Sequence, residues 1–327
     1  MKNKKIIIAG GTGFIGRNLA RYFAVENEVV ILSRNIISST NNAYEEFNTP
    51  PEHVENVRII QWNGRDLGDW ATEIDGADLV INLAGKSVNC RYNVRNKREI
   101  FDSRVLATKV IGQAINIAAN PPQLWINAAS ATIYRHANDR PQDEYNGEVH
   151  NDFSVQVCKL WEQTFFESET PLTRKIAFRT AITLGVGGVM IPYFNLLKFG
   201  LGGHQCSGKQ MYSWVHIEDV CRAIDFVSDY NQLEGVYNLS APNPVSNKCF
   251  MATLRKVTGT SVGLPAFSWM LAIGAAVIGT EAELILKSRW VIPTKLLEAG
   301  FVFKYPFLKE AIENIVANTK RKKYKFF

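Results

Sequence analysis

Three groups of residues in this chain have types and spacings that do chemistry. The first is the run Gly10-Gly11-Thr12-Gly13-Phe14-Ile15-Gly16, in which Gly10, Gly13 and Gly16 recur every third residue. Glycines so spaced, directly after an apolar strand and at the start of a helix, suit a tight turn, a close backbone approach and close helix–strand packing. The helix N-terminus then offers free N–H groups to phosphate charge, so the run reads as a dinucleotide cradle. The second group is Ser33-Arg34, at the end of the next apolar run. An acidic residue there would bind ribose hydroxyls, whereas a guanidinium can pair with a 2′-phosphate, which favours NADP(H) over NAD(H). The third is the stretch from Asn151 to Glu162, where Lys159 and Trp161 lie on a helix opened by Asn151 and Asp152.

Other constellations carry less. His216, Glu218 and Asp219 straddle a strand-to-helix junction, a spacing poor for one cation. Asp219 reads instead as a helix cap or a member of a loop network, and no metal site is expected. No GxSxG elbow and no Ser-His-Asp order is present, which argues against a hydrolase. Gly200, Gly202, Gly203 and Gly208 read either as a mobile lid or as ordinary turns. Trp214 and Trp269 read as core.

The elements that must position these residues alternate regularly. Strands are expected at 4–10, 28–33, 57–62, 77–85, 123–130 and 174–181, and helices at 13–26, 93–119 and 151–168. Such alternation predicts a parallel sheet covered on both faces. Residues 35–56, rich in Asn, Ser, Thr and Pro, read as a surface insertion. From about 183 the pattern changes to a Gly-rich stretch, then a single strand over 211–217, a helix at 218–229, a strand at 235–240 and mostly helices to 318. This divides the chain into a nucleotide-binding core over 1–180, to which 216–240 return, and a substrate lobe over 181–215 and 241–318. A basic tail follows at 319–327.

The 327 residues are 46% hydrophobic and 21% charged, as expected of a globular protein. The apolar stretch 264–279 is shorter than the roughly 20 residues of a membrane span, and reads as a buried or lid helix. The five cysteines include no CxxC pair, which points to a reducing cytoplasm. Much of the net charge of +6 comes from basic residues at the two ends of the chain. The C-terminal group reads as a solvated, frayed end, so neither a nucleic-acid nor a membrane partner is expected.

In these residues the chain resembles the extended short-chain dehydrogenase/reductases of the NAD-dependent epimerase/dehydratase superfamily, and within them the atypical "epimerase family protein" group. The resemblance runs from about residue 5 to 318. It is carried by GGTGFIG, VINLAG (80–85), DSRVLATK (102–109), AASATIY (128–134), KLWE (159–162), the run 200–220, YNLSAPNPVSN (237–247) and GFVFKYPFL (300–308). It implies an α/β fold, a Rossmann-like doubly wound parallel sheet with a smaller C-terminal α/β substrate lobe, and a monomer or homodimer. By position it implies that Gly10, Thr12, Gly13, Phe14, Ile15 and Gly16 hold the pyrophosphate, and Ser33 and Arg34 the 2′-phosphate. Asn63 would lie near the adenine, and Leu83, Ala84 and Gly85 would line the cofactor's inner side. Ser130 falls at the catalytic serine, with Thr132 and Tyr134 nearby, and Lys159 reaches the nicotinamide ribose.

The superfamily's general acid is a tyrosine four residues before that lysine, and here the position is Val155. Arg104 replaces the asparagine that often completes a proton relay. Two expectations follow. The first is an NADP(H)-dependent oxidoreductase or epimerase acting on a small polar substrate. In it Tyr134, Lys159 or a water supplies the proton, and Arg104 can hold a substrate carboxylate or phosphate. The alternative is a non-catalytic NADP(H)-binding sensor or regulator.

Overall fold

The computed structural model describes residues 1–35, 55–267, 270, 281 and 287–325. Residues 36–54 of the insertion expected over 35–56, and most of the apolar stretch after 267, including Trp269, lie outside the described residues.

Seven strands form one sheet: β1 (Lys5–Ala9), β2 (Glu28–Ser33), β3 (Val57–Gln61), β4 (Leu79–Asn82), β5 (Leu124–Ser130), β6 (Arg174–Thr180) and β10 (Gly235–Leu239). Their order is β10-β6-β5-β4-β1-β2-β3, and every pairing is parallel. Near-continuous runs such as Ile6-Ile7-Ile8 belong in strands buried on both faces. Ile6 and Ile8 join α1 (Phe14–Ala24) and α5 (Ile217–Asp229) on one side. Ile7 and Ala9 join α2 (Val94–Ile117) and α3 (Phe153–Glu167) on the other. The order reverses between β1 and β4, and ligands of such sheets bind in the crevice at the carboxyl ends of the strands there.

A smaller lobe packs around α4 (Met190–Lys198), α6 (Asn247–Thr258) and α8 (Leu308–Ala317). Helix α4 lies inside the stretch read as Gly-rich loop. Gly187 and Gly188, both at positive φ, turn the chain immediately before it, and Pro192 sits in its first turn, where a missing N–H costs nothing.

The single strand expected over 211–217 is two strands. Residues 211–212 (β8) pair with β11 (Val245–Ser246), and 214–216 (β9) pair in parallel with β7 (Ile182–Leu184). Ser213 divides them because its backbone N–H and its hydroxyl both bond the carbonyl of Arg289, while the hydroxyl oxygen accepts from the Val291 N–H at 2.7 Å. The tail is docked rather than frayed. Thr319 is buried, and the Tyr324 ring packs on Phe194 of α4 at 5.5 Å.

A buried polar cluster ties four elements together beneath the crevice. The Asn82 side chain, at the end of β4, donates to Thr108 Oγ1 of α2 at 3.0 Å and to Asn127 Oδ1 of β5 at 2.7 Å. Its oxygen accepts from the Ala84 N–H, and Trp161 Nε1 of α3 donates to the same Thr108 hydroxyl at 3.0 Å. Asn82→Ala would orphan several of these groups in the interior. A loss of about 2 kcal/mol in urea unfolding is expected, and a near-neutral result would refute the cluster's importance.

Candidate functional site

The glycine loop follows β1 at the point where the sheet order reverses. Gly10 adopts φ +75°, and a Cβ there would come 3.0 Å from the Ala84 backbone, so the turn needs a glycine. A Cβ on Gly16 would fall 2.5 Å from Gly11 Cα, so this third glycine packs the helix onto its own loop rather than onto the strand. Gly13 is exposed, and a Cβ there would meet only Gly10 O at 3.7 Å. It caps α1 without any side-chain bond, so the helix presents its first N–H groups and open space together. These features fit a pyrophosphate. The Thr12 carbonyl accepts from Arg17 Nη1 at 3.1 Å. Ile15 packs against the sheet core. The Phe14 ring lies against Gly185 and Gly188, where a Cβ would come within about 3 Å of it, so Phe14 joins the loop to the smaller lobe.

At the end of β2, Ser33 is buried and its hydroxyl donates to Asn35 O at 2.9 Å. Arg34 is exposed, and its guanidinium has no hydrogen bond or ion pair among the described residues. The Asn63 side chain closes its own turn, accepting from the N–H groups of Arg65 and Asp66 and donating to Asp66 Oδ2. It reaches the crevice rim as a loop-former. Leu83, Ala84 and Gly85 follow β4 beside the Gly10 turn, and the Leu83 N–H bonds Ala9 O at 2.9 Å.

Ser130 ends β5, and its Oγ accepts from the Thr132 N–H at 3.2 Å, which leaves the hydroxyl proton free to be donated. Cys158 of α3 lies in hydrogen-bonding reach of this hydroxyl, and burial pushes its thiol up to about 12, so it is a neutral neighbour. Lys159 is exposed and makes no hydrogen bond or ion pair among the described residues. Val155, one turn earlier, is 0% exposed among Ala131, Ile133, Tyr134, Cys158 and Val291. The position of the superfamily's tyrosine is therefore a packing position here.

The structure corrects one expected role. Tyr134 is only 2% exposed, and its hydroxyl donates to Asn238 Oδ1 at 2.9 Å while accepting from Arg179 Nη1 at 2.9 Å. Arg179 is in turn held bidentately by Glu162. With its proton committed inside this closed chain, Tyr134 is a structural residue and not an acid for substrate. Arg104 stands over the Trp161 ring at 5.0 Å, and its Nη1 bonds the carbonyls of Lys86 and Ile100, each at 3.1 Å.

Sequence reasoning missed the strap 287–292. Lys287, almost fully buried, donates to Asp152 Oδ2 at 2.8 Å, and Asp152 Oδ1 caps α3 by accepting from the Val155 N–H. Arg289 Nε bonds the Thr132 hydroxyl at 3.1 Å, and Val291 closes over Val155. No local spacing signals these contacts; the charged Lys287 and Arg289 in a polar-looking run gave no sign of burial.

Gly200–Cys206 is laced to 264–266 by four backbone hydrogen bonds and to Asn247 by its side chain, so these glycines make fixed turns. His216 caps α5 by accepting from the Glu218 N–H, while Asp219 accepts from the N–H groups of Lys304 and Tyr305 as a loop-network member. No cluster of three metal-ligating side chains occurs among the described residues.

A parallel sheet in this order, with a glycine cradle at its switch point and a serine and a lysine at the neighbouring strand end and helix, defines a nucleotide-binding protein of the extended short-chain dehydrogenase/reductase class. The NAD dependent epimerase/dehydratase family matches residues 6–156, and a domain of unknown function, DUF1731, matches 266–315. The chain is 32% identical over 317 residues to an epimerase family protein of Staphylococcus saprophyticus, across 96% of this chain and 99% of that one. The chain belongs to this epimerase family. The crystal structure of human epimerase family protein SDR39U1 (isoform 2) with NADPH superposes with a TM-score of 0.81 at 27% identity, over 96% of this chain and 99% of that one. A UDP-N-acetylglucosamine 4-epimerase from Methanobrevibacter ruminantium shares the fold, with a TM-score of 0.74 at 17% identity over 97% and 98% of the two chains. Among the described residues no helix is long and apolar enough to cross a membrane.

Burial pushes the His216 pKa down to about 4, against an ordinary value near 6.5. The folded protein then binds fewer protons than the unfolded chain between those values. The stability is full above about pH 6.5 and declines as pH falls toward about 4. Urea unfolding should show a loss of about 2 kcal/mol between pH 7 and pH 5 from this residue. His216→Asn, which keeps a capping acceptor, should remove most of that pH dependence. An identical dependence in both proteins would reject this account.

Proposed function

We propose that the chain binds NADP(H) and catalyses a redox or epimerisation step on a small polar substrate. The observation that carries this is the exposed Gly13 at a helix N-terminus without a side-chain cap, with the Arg34 guanidinium, unpaired among the described residues, at the end of β2. The presence of NADPH in the human relative's crystal structure supports the choice of dinucleotide. When bound, the dinucleotide supplies or accepts a hydride. The chain's own residues do the rest. The N–H groups of Phe14, Ile15 and Gly16 would hold the pyrophosphate, and Arg34 would pair with the 2′-phosphate. The Ser130 hydroxyl donates a hydrogen bond to the substrate oxygen. Lys159 holds the ribose side and orients a water that exchanges the proton, since Tyr134 is committed elsewhere. The burial of Val155 also favours a second reading, an NADP(H)-binding regulator without turnover.

Two measurements test this. NADPH fluorescence should report binding that Arg34→Ala weakens by about tenfold or more, with little effect on NADH. Equal losses for both would reject the 2′-phosphate role. NADPH absorbance with a small-metabolite extract of the source cells should decay with the wild type and not with Lys159→Ala. Binding without decay in either protein, and without epimerisation of sugar nucleotides, would favour the regulator.

A further inference from the structure

Several arginines that lie against the folded surface are answered by a carboxylate. Arg58 meets Glu28 and Glu73, Arg135 meets Asp139 and Glu148, Arg179 meets Glu162, and Arg222 meets Asp219. Arg104, like Arg174 and Arg255, bonds only carbonyls, but it alone of the three stands beside the crevice. It is half-buried, yet no carboxylate lies within ion-pair range of it among the described residues. Only Nη1 is used, on the neutral carbonyls of Lys86 and Ile100. Nε and Nη2 donate to no atom among the described residues. The nearby cation Lys86 is answered by Glu99 and Asn96.

Its surroundings fix it in place. Trp161 supports one face of the guanidinium at 5.0 Å. Gly85 lets the guanidinium pack closely against the chain after β4, since a Cβ there would stand 3.1 Å from Cζ. Burial lowers the pKa of Arg104 without approaching neutrality, so the charge persists. The groups bearing on it from the elements around it are the Cys158 thiol, held neutral, and the Tyr92 phenol. Arg104 stacks on Trp161 of α3, one turn from Cys158, which lies in hydrogen-bonding reach of Ser130 at the end of β5.

Resting on the reading above that this crevice takes a substrate beside a dinucleotide, we propose that Arg104 is a specificity-determining residue. It anchors an oxyanion of the substrate, a carboxylate or a phosphate monoester, on the free edge of its guanidinium. A neutral carbonyl compound of the same size leaves that edge unanswered and binds less well. The planar fork suits both anions, and either repays the charge left open in the folded chain.

The test pairs anions with uncharged counterparts of similar size: benzoate with benzamide, glutarate with glutaramide, and glycerol 3-phosphate with its uncharged dimethyl phosphate ester. NADPH binding by the full-length wild type is measured first. Failure there overturns the cofactor reading and is separable from failure of this inference. Calorimetric titration of the NADP⁺-saturated protein should then show at least one anion binding about tenfold or more tighter than its neutral partner. The pair that shows it identifies carboxylate or phosphate. Arg104→Gln keeps a donor for the Lys86 carbonyl and should abolish the preference, whereas Arg104→Lys should retain part of it. No anion preference in the wild type, or a preference that Arg104→Gln keeps, overturns the proposal.

Discussion

The site depends on one buried constraint, the hydrogen-bonded cluster of Asn82, Thr108, Asn127 and Trp161. Each member lies on a different element, and each site group lies close by in sequence. Gly85 is three residues past Asn82, Arg104 one helical turn before Thr108, Ser130 three residues past Asn127, and Lys159 two before Trp161. Polar groups in a core are costly unless all are answered, so the cluster tolerates little sliding of β4, α2, β5 and α3 against one another. It fixes the site from below, while the crevice above stays open.

The strap 287–292 acts from the other side. It lies across the end of β5 and the start of α3, bonded to Thr132, Asp152, Ala137 and Gln142 as well as to Ser213 of the smaller lobe. Val291 meets Val155 in its apolar centre. This explains in physical terms why a valine stands there. A tyrosine would carry a hydroxyl into a seam without an acceptor to spare, because the neighbouring polar chain Glu162–Arg179–Tyr134–Asn238 is already complete. The strap and the lost tyrosine are two aspects of one arrangement.

The sheet was legible in the sequence because its strands are runs of β-branched residues, and each is read from neighbours in the chain. The glycine cradle was legible because its conformational demand is local. The rest required contacts between distant residues. The helix Met190–Lys198 was obscured by the glycines that precede it, which serve the Phe14 ring and not a loop. The break at Ser213 depends on Arg289 and Val291, more than seventy residues away. Tyr134 looked available because it follows Ser130 closely, and only its long-range bond to Asn238 shows otherwise.

The distribution of charge follows from the same architecture. Cations with structural work are neutralised: Arg179 by Glu162, Lys287 by Asp152, Lys86 by Glu99. Arg34, Lys159 and Arg104, set from the end of β2 to the helices beside the end of β5, have no ion-pair partner among the described residues. Isolated charges at a surface cost little while water reaches them, but they gain strongly when an anion displaces that water in a partly enclosed cleft. Cations without a carboxylate along the crevice favour ligands with negative charge, such as the phosphates of a dinucleotide.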